Sequence, residues 1–368
     1  MVQYLLTRAC ARRPRAAAWA PLILVVLLHP ALFADHKKPP VAVPGPPDLL
    51  LEGGRKLSFE RVFSSERDIR GKPGFWKKLV DVVAGEPDYK RMVRPYGVAV
   101  DSHGRVIVTD PGLGGIHIFD AEQHKYKFLE RREKSKDSML EPQCIAIDAS
   151  DNIYVSDSKA GKIFIFEPSG KYKGVLGSIK GGEGYFKRPT GIAIDRETQQ
   201  IYVTDTLRDR VYVLDPSGQV LRTIGQHGGK DGEFNLPTEL LVKNGLLAVV
   251  DAMNFRVQTF DRKGTFQSSI GNLGDSAEAL FRPKGIGLDS ENHIYLVEGL
   301  SGTVQVFDRQ GQLLYYFGRR GRGLAEFQLP AGLFIDHNDR VYVVDSYNRR
   351  VQVFQYYGVK LSAQGAKP

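Results

Sequence analysis

The chain has 368 residues, with 51 Lys+Arg against 42 Asp+Glu and a formal net charge of +9. Its 42% apolar and 25% charged residues are ordinary for a globular protein and exclude a collagen-like or wholly disordered chain. Two cysteines, Cys10 and Cys144, exclude a disulfide framework, whereas 39 glycines and 20 prolines predict many tight turns between short strands.

At the N-terminus, Arg8, Arg12, Arg13 and Arg15 precede an almost wholly apolar run from Trp19 to Ala34, and no acid occurs before Asp35. A basic region followed by an apolar one is the secretory pattern, so residues 1–34 are expected to be a signal peptide cleaved after Leu32-Phe33-Ala34. An uncleaved anchor is the alternative, although a run broken by Pro21 and Pro30 is short for a span of about 20 residues. Export to the periplasm or the extracellular space is therefore expected, with membrane attachment only through an uncleaved segment. The segment carries four of the 51 basic residues and none of the 42 acids, so the remainder has a net charge of +5 and one thiol, Cys144. Residues 35–56 contain Pro39, Pro40, Pro44, Pro46 and Pro47 and read as an extended tether.

From residue 95 onward a period dominates. Pro95-Tyr-Gly-Val-Ala-Val-Asp101 recurs as Pro142-Gln-Cys-Ile-Ala-Ile-Asp148 and Pro189-Thr-Gly-Ile-Ala-Ile-Asp195. It continues as Pro237-Thr-Glu-Leu-Leu-Val-Lys243, Pro283-Lys-Gly-Ile-Gly-Leu-Asp289 and Pro330-Ala-Gly-Leu-Phe-Ile-Asp336, at spacings of 46 to 48 residues. A period of this length marks a solenoid, propeller or array. Each unit also holds a second strand such as Ile201-Tyr-Val-Thr-Asp205, a third such as Val211-Tyr-Val-Leu-Asp215, and a fourth such as Leu221-Arg-Thr-Ile224. These strands are rich in β-branched and aromatic residues, and short glycine hairpins such as Pro216-Ser-Gly218 join the third to the fourth. Four antiparallel strands in each of six units predict an all-β, six-bladed β-propeller over residues 57–357.

The blades start near residues 95, 142, 189, 237, 283 and 330. The last unit lacks a fourth strand of its own. Residues 57–63 are expected to supply it and close the ring, which removes an open sheet edge; residues 358–362, in a C-terminal tail over 358–368, are the competing candidate. A short helix is predicted over 74–84 from the spacing of Phe75, Trp76, Leu79, Val80 and Val83. It reads as a cover for apolar surface, or as a lid beside the channel.

The repeat resembles the NHL repeat. The resemblance rests on Pro-x-Gly-Ile-Ala-Ile-Asp, on Ile-Tyr-Val-Thr-Asp, and on an Asp-x-x-Asn-x-Arg-Val element clearest as Asp251/Asn254/Arg256 and Asp345/Asn348/Arg350. It spans residues 95–354, and with the preceding segment it is similar to exported bacterial NHL-repeat proteins of unassigned activity. The resemblance implies the propeller. It does not imply one function, because NHL-type propellers include RNA-binding modules, sensor domains and enzymes.

The second-to-third-strand loops share one face with the fourth-to-first-strand loops. They begin at Asp110, Asp157, Asp205, Asp251, Glu298 and Asp345. This ring of acids, with Arg208 and His227, is a candidate ligand-binding loop face. The alternative is that each acid caps its own loop, with Asn254, Arg256, Asn348 and Arg350 as structural partners and Asp209 with Arg210 a looser version. Departures from the repeat are more pointed. Blade 4 carries Glu239 for Gly and Lys243 for Asp, and blade 2 carries Cys144 for Gly. An acid and a thiol near the channel mouth are placed to meet a ligand, while drift of a degenerate repeat explains them equally.

No His-x-x-x-His or Cys-x-x-Cys pairing occurs in the sequence, so neither a metal site nor a cofactor is predicted. No catalytic constellation is assigned. Basic residues including Arg94, Arg188 and Arg319 are interleaved with acids, which disfavours nucleic acid as a partner. The expectation is a monomeric, exported, non-catalytic propeller that binds a protein, a peptide or an envelope polymer through its loop face. The alternatives are a propeller hydrolase or lyase with a channel-mouth site, and a polyanion-binding propeller.

Overall fold

The computed structural model describes residues 45–70, 89–130, 138–274 and 278–358, all within one unit that begins at Gly45. The expected signal segment, residues 35–44 of the tether, the helix over 74–84 and residues 359–362 lie outside the described residues.

The repeated strand patterns build six antiparallel sheets. Their inner strands are Val98–Val100, Pro142–Ile147, Pro189–Ile194, Pro237–Lys243, Pro283–Leu288 and Leu333–Ile335. Five sheets have four strands in meander order, each strand pairing with the next in sequence. The chain is a six-bladed β-propeller. Because blades stand around an axis, each presents one face to each neighbour, and the buried side chains sort into six clusters, one at each blade-to-blade interface. No blade has a core of its own, as expected where repeated units bury their apolar faces only by stacking.

The sixth sheet has five strands, and its outer part comes from the start of the unit. Strand Lys56–Phe63 pairs antiparallel with Arg350–Tyr357, from Lys56 opposite Tyr357 to Phe63 opposite Val351. Leu57 and Phe63 are buried, and Phe59 meets Phe354 edge-on with ring centroids 5.7 Å apart. Charge pairing reinforces the closure: Arg340 Nε donates to Glu60 at 2.9 Å, and Arg55 Nε donates to Glu291 at 2.9 Å. The tether expected to run to residue 56 ends earlier. Leu49–Leu50 pairs with Lys56 and Leu57 through a turn in which Gly53 and Gly54 take φ of 69° and 76°, a conformation that favours glycine.

Hydroxyl groups seat the inner strands of the first half of the ring against one another. Thr109 Oγ1 accepts from Gly97 N at 2.8 Å and donates to the Gln143 carbonyl of blade 2. Ser156 and Thr204 repeat the link to the Thr190 and Thr238 carbonyls. In blades 4 to 6 valine takes this position, and backbone bonds serve instead, such as Gly285 N to Ala331 O and Gly332 N to Tyr96 O, both 2.8 Å.

Candidate functional site

The inner strands enclose a cavity of about 570 Å³ along the axis. Its wall is mostly aliphatic, with Ile145, Ile147, Ile192, Leu241, Ile286 and Leu333 among its members. Exposed residues Ser102, Arg196, Glu197, Asn244 and His337 rim it on the face of the first-to-second-strand turns. At the loop-face end, glycine occupies the third position of the inner-strand motif in four blades: Gly97, Gly191, Gly285 and Gly332. A Cβ on Gly97 would stand 2.5 Å from the Gln143 carbonyl, and one on Gly191 2.5 Å from that of Thr238. The two exceptions are Cys144 and Glu239, and they touch. The Cys144 thiol donates to Glu239 Oε1 at 2.7 Å.

Electrostatics at this end follow from burial. Burial pushes the Cys144 thiol well up, and the neighbouring Glu239 pushes it further. Burial also raises the Glu239 carboxyl, against the opposing pull of the thiol bond and Lys284. Burial, then Arg282, lowers Lys284. Tyr96 is raised well above its ordinary range by burial and by Glu239 and Cys144. Burial and Glu239 thus both disfavour the thiolate, the form nucleophilic chemistry uses.

The six repeat acids are elsewhere. Asp110, Asp157, Asp205, Asp251, Glu298 and Asp345 are buried and do not line the cavity. Each accepts backbone N–H groups from the loop that leads into its own blade's first strand. Asp157 takes Leu140 N at 2.6 Å and Glu141 N at 2.9 Å, Asp205 takes Lys187 N at 2.9 Å and Arg188 N at 2.8 Å, and Glu298 takes Phe281 N at 2.8 Å. In blades 4 and 6 one carboxylate oxygen gathers three side chains. Asn254, Arg256 and Gln258 donate to Asp251 Oδ2 at 2.8, 2.9 and 3.1 Å. Asn348, Arg350 and Gln352 donate to Asp345 Oδ2 at 2.8, 2.7 and 3.2 Å. In blade 1, His117 fills the glutamine's place, 3.3 Å from Asp110.

Blade 3 differs from the expected pairing. Arg208, not Arg210, reaches Asp205, at 3.3 Å, while Arg210 Nε donates to the Arg208 carbonyl. Asp209 instead accepts from Leu236 N at 2.8 Å and stands 3.1 Å from the exposed His227. The structure thus brings Cys144 and Glu239 together. It leaves His227 and Arg208 on the loop face, apart from that pair. Among the described residues no three His, Cys, Asp or Glu side chains form a group able to hold a metal ion.

A family model described as a 6-bladed beta-propeller matches residues 135–224, 197–270 and 289–364, together more than half of the chain. The chain belongs to the 6-bladed beta-propeller family. No curated protein matches the sequence. Among solved structures it is similar to a structural genomics protein of unknown function from Bacteroides thetaiotaomicron, with a TM-score of 0.59 at 13% identity over 82% of this chain and 76% of that one. It is also similar to a gluconolactonase from Xanthomonas campestris, with a TM-score of 0.56 at 16% identity over 86% and 99%. A virginiamycin B lyase from Staphylococcus aureus gives 0.53 at 13% identity over 82% and 99%. At these identities the likeness is one of fold.

The loop face of this propeller has a feature that the sequence reading passed over. Of nineteen exposed large apolar residues among the described residues, twelve lie in its second-to-third and fourth-to-first loops. None lies in the turns of the opposite face. Leu207, Met253, Leu300 and Tyr347 each stand two residues after the repeat acid, and Val93, Leu140 and Phe281 each stand two before the repeat proline. Aligning the repeats by their acids and prolines would have revealed this register. Exposure was the missing information.

Proposed function

We propose that the protein is an exported, NHL-type, non-catalytic propeller that binds a partner protein or peptide through its loop face. The observation that carries this reading is the one-sided distribution of exposed apolar side chains. Large apolar groups recurring at two repeat positions on one face suit an interaction surface. Exposed Arg94 and Arg282 directly follow Val93 and Phe281 in the chain. A partner segment with apolar anchors and acidic flanks suits both features. The disfavoured thiolate of Cys144 supports binding over covalent catalysis.

A photo-crosslinking residue at Leu300, compared with one at Lys263 on the opposite face, tests the proposal in cells that export the protein. A discrete adduct from position 300 alone, lost when Met253 and Phe281 are both changed to Ser, is the expected result. Equal adducts from both positions, or none from position 300, would overturn it.

A further inference from the structure

Beyond the loop face, the departures from the repeat point to a second site. The departures within the inner-strand motif, Cys144, Glu239, Leu241, Lys243 and Phe334, all line the axial cavity. Leu241 and Phe334 stand where the other blades carry Ala99, Ala146, Ala193 or Gly287. Glu239 is only partly buried by protein, and its sole protein hydrogen bond comes from the thiol, a weak donor. Glu239 lines the cavity, and Lys284 is the cation that acts on its carboxyl. Lys243, at the opposite end of the same strand, is occupied: its ammonium donates to the Leu288 carbonyl at 2.8 Å. Four residues of strand separate the two ends, about 13 Å.

We propose that the axial cavity binds an elongated, apolar primary amine that enters from the turn face and seats its ammonium on Glu239. The aliphatic wall takes the chain, and the volume of about 570 Å³ falls in the range of small-molecule pockets. Glu239 supplies the anionic anchor at the loop-face end, and the Cys144 thiol donates to its carboxyl.

Calorimetric titration of the full-length protein with octylamine, octanol and octanoate tests this. Octylamine is expected to bind more tightly than octanol and octanoate by at least about tenfold, or 1.4 kcal/mol. Glu239→Gln, which keeps the side chain's shape, is expected to remove that preference. Leu241→Trp is expected to abolish binding of all three by filling the cavity. Thermal melting confirms that each variant is folded, and Phe334→Trp replaces Leu241→Trp if the latter is not. Equal affinity for the three head groups, an octylamine preference retained by Glu239→Gln, binding unaffected by the filled cavity, or no binding by the folded wild-type protein would each overturn the proposal.

Discussion

Asp345 shows what a single repeat residue does. Its carboxylate is fully buried and takes hydrogen bonds from the backbone of Gln328 and from three side chains. Asp345→Ala would strand the Arg350 guanidinium, whose side chain is only 13% exposed. The expected loss is about 3 kcal/mol, since removing one partner leaves a buried charge and several buried donors unpaired; urea unfolding measures it. His293 makes a pH prediction. Its ring Nδ1–H donates to Asp289 at 2.8 Å, and that bond raises its pKa above the ordinary 6.5. A group whose folded pKa is raised stabilises fully below its unfolded pKa, and the contribution is lost as pH rises through the folded value. The stability gap between wild type and His293→Ala should therefore be larger at pH 5 than at pH 9, as followed by denaturant midpoints. Asp345 was legible as a repeat element because its partners lie at fixed offsets in sequence. Arg208 was harder: blade 3 lacks the asparagine, and only the turn geometry decides which arginine reaches the acid.

At the scale of elements, the closing strand is the decisive piece. Lys56–Phe63 and Arg350–Tyr357 are far apart in sequence, and their ladder covers what would otherwise be an exposed edge. Deletion of residues 45–63 should expose Phe354 and Tyr356, lower the melting temperature by roughly 10 °C or more, and cause self-association, read by circular dichroism and size-exclusion chromatography. The strand itself was readable from its alternation. The short pairing at Leu49–Leu50 was not, because two residues carry no period and the prolines before them suggested an extended chain.

For the whole molecule, the arrangement of the cores matters most. Six interfaces share side chains around a closed ring, so damage at one is felt by both neighbouring blades. Phe327 is fully buried between blades 5 and 6 and packs on Phe317 and Phe354. Phe327→Ala should cost about 3 to 5 kcal/mol, yet unfolding should remain a single transition by calorimetry. A separate early transition for one blade would show that the blades hold together on their own. The two faces of the ring divide their chemistry: the loop face carries the exposed apolar groups, and the turn face carries the charged rim of the cavity.

The blade count and the strand order within a blade follow from the sequence alone, and it left the acid-centred clamps as one of two readings of the repeat acids. Each depends on patterns repeated at fixed spacing, and alternation, glycine turns and local hydrogen bonds act over a few residues. Closure of the ring into an axial cavity decided the rest. Cys144 and Glu239 lie 95 residues and two blades apart. Each looked like an isolated lapse in a glycine position until the ring placed both at the same end of the channel. The apolar loop residues looked unremarkable for the same reason: whether a leucine faces water or a neighbouring blade depends on how all six blades stand together, not on the residues beside it.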